Sequence, residues 1–281
     1  MILKRFKKIV NEHFYVNLFY LNITLRKGYL DIFFFQVCRL VAKVLKSVFR
    51  GFLKNQLEAV ITKIDANLSY KIVKRVEKLY KVKFHPYPEI NHSLMEIYFY
   101  KQYSRLNNFI PKKEWGVVDC GSTCGEYSIY VSSKCAKCIS VEPNPDYYEQ
   151  LLKNIELNGL GGKIFPVNKA VSSKISKIRI KYKNKTISSE TTTIDNLVKK
   201  YKLEPVNLLK IDVEGYEYHT LIGSKNTIEK FKPKIIIEIH SRKILRKILR
   251  YLNKYGYRIV YSNNFPYRSD KMDMVNVFYF E

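Results

Sequence analysis

Val117-Val118-Asp119-Cys120-Gly121-Ser122-Thr123-Cys124-Gly125-Glu126-Tyr127, followed by Ile139-Ser140-Val141-Glu142-Pro143, decides how this chain is read. An apolar run enters an acid. Two glycines follow at a spacing that lets a strand turn tightly into a helix. A second apolar run ends on another acid. This is a βαβ unit with a carboxylate at the C-terminal end of each strand, where open α/β sheets receive ligands. Gly121 and Gly125 remove the Cβ atoms that would keep a ligand off the backbone. The helix beginning near Gly125 offers N–H groups to an anionic part of the ligand. Glu142 stands where an acid accepts hydrogen bonds from both hydroxyls of a ribose.

The spacing separates nucleotide classes. A dinucleotide fold needs G-x-G-x-x-G and a P-loop needs G-x-x-x-x-G-K-[ST]; neither is present. Asp119-x-Gly121-x-x-x-Gly125 with Glu142 resembles the binding loop of class I methyltransferases, which use S-adenosylmethionine. An ordinary strand-to-helix turn would explain the glycines but not two acids at successive strand ends.

Outward from this unit, the pattern stays α/β. Asn144-Pro145-Asp146 starts a helix with Tyr148, Leu151, Leu152 and Ile155 as its stripe. Lys163–Val167 reads as a third strand, with Asn168 and Ala170 at its end over the expected adenine position. Ile175–Ile180 alternates like a half-exposed strand, and a helix begins at Thr193 or Asp195. Val206–Gly215 reads as a buried strand delivering Asp212 to the same sheet edge. Tyr218–Phe231 reads as helical. Pro233–His240 is a fifth strand ending in polar groups, Glu238 and His240 among them, and two more strands are expected at Tyr257–Tyr261 and Met274–Phe280. Strands alternating with helices predict a seven-stranded, mostly parallel Rossmann-like sheet with an antiparallel final strand.

The first 85 residues read as a helical extension, with the catalytic domain occupying 86–281. Phe34, Val37, Val41, Val44, Leu45 and Val48 fit one face of a basic amphipathic helix, and Asn55–Tyr80 continues the helical pattern. Such a helix either packs on its own domain or lies in an anionic membrane interface. His85-Pro86-Tyr87-Pro88 breaks the pattern. Ser93-x-x-Glu96 reads as a capping box opening a helix that runs to about Leu106. Neither the N-terminal stretch nor Tyr29–Leu45 reads as a signal peptide or a membrane span, so the expected location is cytoplasmic, with peripheral membrane contact open.

The formal net charge is +25, from 50 Lys+Arg against 25 Asp+Glu. That excess suits polyanionic partners, although the lysines are scattered through the chain. Cys120, Cys124, Cys135 and Cys138 could be read as four thiolates. Two of them lie in the ligand loop itself, where a closed metal site would compete for the space, so no metal ligand is assigned.

Six motifs in order identify a family resemblance: Asp119 to Tyr127, Glu142 to Pro145, Asn154 to Gly159, Thr192 to Asp195, Lys210 to Gly215, and Ile237 to His240. Together they resemble the FkbM methyltransferases over about Trp115 to Ser241. The resemblance implies S-adenosylmethionine as cofactor, held by Asp119, Gly121, Thr123, Gly125, Glu142, Pro143, Asn168 and Ala170. It implies O-methylation of a hydroxyl on a sugar, glycan or other small molecule. Methyl transfer asks the protein mainly to align an acceptor oxygen and to help it lose a proton. Asp212 is the first candidate for that work, then Glu238 and His240. Lys210 shares a strand face with Asp212 and is expected to pair with it. One departure stands out: the family commonly carries Gly-Ala-Asn where this chain has Gly121-Ser122-Thr123. Two other readings remain: an RNA methyltransferase, against which stands the absence of an Asn/Asp-Pro-Pro-aromatic motif, and a non-catalytic membrane-surface protein that keeps the fold. Nucleic acid is therefore the weaker partner class, and the oligomeric state is open.

Overall fold

The computed structural model describes residues 29–48, 52–85, 90–182, 185–263 and 276–281. They form two compact units dividing after Tyr100. The expected boundary at residue 85 falls beside residues 86–89, outside the described residues.

The first unit is helical. Helix α1 (Leu30–Val48) and helix α2 (Phe52–Tyr80) pack together. Among the described side chains of α1, Ile32, Gln36 and Ala42 are buried. Leu30, Phe34, Val41 and Leu45 face outward, with Phe34 63 % exposed. Phe34, Val41 and Leu45 of the expected apolar face are thus exposed. Farther along, Leu68, Ile72 and Val76 of α2 are buried, and Tyr98 meets Tyr80 and Phe84 edge to face. The capping-box expectation at Ser93 fails. Ser93 lies inside a short helix, α3 (Ile90–Leu94), which widens into a π-turn at Met95–Phe99. Lys101 then takes a left-handed φ of 61°, which no continuing right-handed helix accommodates, so the helix does not reach Leu106.

The second unit is built on a seven-stranded sheet. Its strands are β1 (Gly116–Cys120), β2 (Lys137–Val141), β3 (Ile164–Val167), β7 (Val206–Ile211), β8 (Lys234–Ile239), β9 (Ile259–Asn263) and β10 (Asn276–Phe280). The order is β3-β2-β1-β7-β8-β10-β9. β10 runs antiparallel to both its neighbours, and the pairings among the first five are parallel. The order reverses between β1 and β7, which makes that boundary the switch point. Helices α4 (Glu126–Ser132), α5 (Pro145–Leu157), α6 (Ile194–Tyr201), α7 (Glu217–Ile222), α8 (Lys225–Phe231) and α9 (Arg242–Asn253) intervene.

Burial explains the near-continuous apolar strands. Val118, Ile139, Leu209, Ile235 and Ile237 join Ile194, Leu221, Ile228 and Ile248 of the helices in one core cluster. Each such side chain contributes about 1.5–3 kcal/mol when fully buried. The helix ends follow their sequence signals: Asn144 accepts from the Asp146 N–H, Thr193 from Asn196, and Ser241 from Lys243.

Two local expectations change. The strand expected at Ile175–Ile180 is β5 (Lys177–Tyr182), which pairs antiparallel with β6 (Lys185–Thr192). With the two-residue β4 (Ala170–Val171) they make a separate three-stranded sheet. The helical stretch expected over Tyr218–Phe231 is broken into two helices where Gly223, with ψ 1°, and Ser224, with φ −113° and ψ 16°, leave helical values.

Candidate active site

Strand alternation sets up the site. Val118 and Cys120 of β1 and Leu209 and Ile211 of β7 belong to the core cluster. Asp119 and Lys210 therefore share the opposite face, and they are register partners. Both are buried. Lys210 Nζ lies 3.2 Å from Asp119 Oδ1, donates to the Gly121 carbonyl at 2.8 Å, and stands 3.6 Å from Asp212 Oδ2. Burial alone would lower the ammonium pKa, but Asp119 and then Asp212 hold it above the ordinary lysine value. The expected Lys210–Asp212 pair exists, though Asp119 is the closer partner. Asp119 also accepts from the Ser128 hydroxyl at 2.7 Å. Burial raises its pKa, and Lys210 and Ser128 work against that rise. Asp119 thus points into the protein and braces the loop from below.

The loop Gly121–Gly125 is tied to the strands on both sides. The Gly121 and Ser122 N–H groups donate to the Val141 carbonyl, and the Asp212 N–H donates to that of Cys120. Gly121 has φ +76°, and a Cβ there would sit 1.7 Å from the Asp212 carbonyl oxygen. Gly125 has φ +87°, and its Cβ would meet Leu151 at 2.5 Å. A neighbouring backbone therefore demands Gly121, while at Gly125 the left-handed φ does so, since the Leu151 methyl can shift. Thr123 also lies in the left-handed region, at φ +47°. A β-branched residue is strained there, at a cost of about 1–3 kcal/mol. Its hydroxyl lies 2.8 Å from buried Glu126, and its N–H donates to Glu142.

Glu142 closes β2 and is 5 % exposed. It accepts the Thr123 N–H at 2.9 Å and the Asn144 N–H at 2.8 Å, one on each oxygen. Burial raises its pKa to about 8, although both N–H groups oppose that rise. Pro143 follows it, and Asn168 donates to the Glu142 backbone carbonyl at 2.9 Å. Ala170 is buried at the start of β4.

Asp212, Glu238 and His240 come together at the ends of β7 and β8. One donor atom from each lies within 4.8 Å of the others. The Tyr103 hydroxyl sits 3.2 Å from Asp212 Oδ2 and 2.9 Å from Glu238 Oε2, and Gln102 donates to the same Glu238 oxygen at 3.0 Å. His240 Nδ1 is 2.6 Å from Glu217 Oε1, while Nε2 faces Glu214 at 3.4 Å and Glu238 at 3.8 Å. Burial would lower the imidazole pKa, but Glu217, then Asp212, Glu214 and Glu238, raise it to about 9.

Four contributors escape the sequence reading. Glu217 is fully buried at the first position of α7, and the expected helix began one residue after it. Tyr103 and Gln102 reach partners more than a hundred residues away, so nothing local marks them. Glu126 was inside the quoted loop and is buried beneath it. The five cysteines are free, and burial pushes the Cys135 thiol up to about 11, which makes it a poor nucleophile.

Comparison with known proteins follows this geometry. The Methyltransferase FkbM domain model matches residues 119–259, from the end of β1 to the start of β9. Over 135 residues the chain is 30 % identical to the hexuronic acid methyltransferase AglP of Haloferax volcanii, covering 44 % of this chain and 55 % of that one. The chain thus spans about half the length of that curated relative. Among solved structures, the FkbM methyltransferase of Methylobacillus flagellatus KT aligns at 19 % identity and TM-score 0.49, over 85 % of this chain and 58 % of its own. The tRNA m1G37 methyltransferase of M. jannaschii aligns at 16 % identity and TM-score 0.43, over 61 % and 45 %. The matched domain takes in every strand-end acid described above, and the chain belongs to the FkbM methyltransferase family.

Proposed function

We propose that the chain transfers a methyl group from S-adenosylmethionine to a hydroxyl of a sugar, with an acidic sugar such as a uronic acid as the favoured acceptor. The observation that carries this reading is that one loop touches both halves of the site. Gly121 abuts Asp212 and Thr123 holds Glu142. The cofactor fits the residues present. Each Glu142 oxygen has a lone pair left for a ribose hydroxyl after its backbone bond. In the same loop, the Ser122 hydroxyl is buried without a hydrogen-bond partner, as expected of a group that awaits one. When bound, the cofactor supplies an electrophilic methyl on a sulfonium.

The chain's own residues do the rest. Glu142 orients the ribose, and Lys210 fixes the loop through the Gly121 carbonyl. Asp212, Glu238 and His240 orient the acceptor hydroxyl, whose O–H bond must break as the O–CH3 bond forms. Tyr103 holds the two carboxylates in place. The acidic acceptor is supported by the similarity to a hexuronic acid methyltransferase and by the chain's net charge of +25, which attracts anions.

A peripheral contact with an anionic membrane surface is a second part of the reading, supported by the outward stripe Leu30, Phe34, Val41 and Leu45 of α1. No described helix is long and apolar enough to cross a membrane.

Incubation with methyl-labelled cofactor and a panel of uronic-acid glycans, neutral glycans, lipid-linked sugars and RNA tests the proposal. Label is expected on a sugar oxygen, most strongly in the uronic-acid set. Label confined to RNA would overturn the acceptor class.

A further inference from the structure

We propose that Asp212, Glu238 and His240 form a binding site for a divalent cation of the Mg2+/Mn2+ class, and that the acceptor's oxygens complete its coordination. The part about the acceptor rests on the methyl-transfer reading; the cation site itself does not.

Geometry is the first argument. Two donors on one ion lie no farther apart than twice the metal–ligand distance, about 4.2–4.8 Å for Mg2+ to Ca2+. The three donor atoms all lie within 4.8 Å of one another, the upper end of that range, so an ion of Mg2+ or Mn2+ size would draw them a few tenths of an ångström closer. Their side chains are mostly but not wholly covered, at 25 %, 15 % and 16 % exposure, which leaves an open side for an exchangeable ligand. Two carboxylates and one imidazole make an oxygen-rich set, suited to Mn2+ and Mg2+ more than to zinc.

The second argument comes from a residue outside the three. A metal-binding histidine characteristically gives its other ring nitrogen to a carboxylate, which fixes the ring and frees one nitrogen for the ion. Glu217 does this to His240. It is fully buried, meets Nδ1 at 2.6 Å, and leaves Nε2 turned toward Glu238 and Glu214. Glu217 is itself oriented by the Gly215 N–H at 2.8 Å, and its other oxygen is buried without a hydrogen-bond partner. A carboxylate this enclosed is costly to hold and is explained by the ring it orients.

Charge is the third. Asp212, Glu214, Glu217 and Glu238 gather around His240 in a chain whose net charge is +25. Lys210, the other nearby cation, is already engaged by Asp119 and the Gly121 carbonyl. An anionic acceptor entering these acids would be repelled; a bound cation offsets part of that repulsion and gives an acceptor oxygen a positive centre to ligate. The ion would also lower the pKa of a coordinated hydroxyl, so that its proton passes to water as the oxygen takes the methyl.

The test uses the full chain, stripped with EDTA and desalted, and titrated with Mn2+ while free Mn2+ is read by electron paramagnetic resonance. One Mn2+ per chain is expected, displaced by excess Mg2+. Glu238→Gln and His240→Gln should each weaken binding at least tenfold. Glu217→Gln, which leaves all three ligands in place, should weaken it about 10–100-fold. Circular dichroism and cofactor affinity report whether each variant is folded. No saturable binding at millimolar Mn2+, or binding unchanged in folded Glu238→Gln, overturns the site. Methyl transfer that persists in EDTA overturns the ion's role in the reaction while leaving the methyltransferase reading intact. Mn2+ binding without methyl transfer to any acceptor would overturn the methyltransferase reading and leave the cation site intact.

Discussion

A methyl group on Gly121 would lie 1.7 Å from the carbonyl oxygen of Asp212. Gly121→Ala must therefore push β1 and β7 apart at their ends, and it also places an alanine at φ +76°. Overpacking and backbone strain together should cost about 2–4 kcal/mol, measured by urea denaturation. An unchanged midpoint would mean the two strand ends are not held as described. Glu142 carries a different prediction. Its carboxyl keeps its proton up to about pH 8 because it is buried. Two ribose hydroxyls both donate, so they favour the ionised form, and binding below that pH must release a proton. Affinity for S-adenosylhomocysteine should rise about tenfold per pH unit up to about pH 8, then level off. Calorimetry at several pH values reads this directly, and Glu142→Gln should flatten the slope. A slope that survives in Glu142→Gln would assign the titration to another group.

At the scale of elements, α1 presents Leu30, Phe34, Val41 and Leu45 outward. If that stripe meets an anionic bilayer, the chain should float with phosphatidylserine vesicles at low salt and leave them as salt screens the attraction. Phe34→Glu removes a side chain worth about 1.5–3 kcal/mol on burial, so flotation should fall roughly tenfold or more. Flotation equal in wild type and Phe34→Glu would rule the stripe out. The elements also show what the sequence made readable. β1, β2, β7 and β8 were legible because apolar runs ending in acids mark strands buried on both faces. Their mostly parallel arrangement in one sheet was legible because strands alternate with helices. The outward stripe of α1 was not, since periodicity shows that a helix has an apolar face without showing what covers it. The β5–β6 hairpin was half hidden: Lys185–Thr192 lacks the apolar alternation that marked its partner.

Across the whole molecule, acids are scarce and positioned. The chain has half as many acidic as basic residues, yet Asp119, Glu142, Asp212 and Glu238 stand at the ends of four adjacent parallel strands. Asp119, Glu142 and Asp212 were visible as strand-end acids, and Glu238 and His240 as the polar end of a fifth strand. Glu217, Gln102 and Tyr103 were not, because their roles exist only once distant segments meet. The account's central claim is that Asp212 and its neighbours act on the acceptor while Glu142 and the loop hold the cofactor. The most direct test is Asp212→Asn, which keeps shape and removes charge, with turnover and cofactor affinity measured on the same preparation. Turnover should fall by about 10²–10⁴ while cofactor affinity changes less than about threefold. Turnover equal to wild type would contradict the account, as would turnover and affinity falling together.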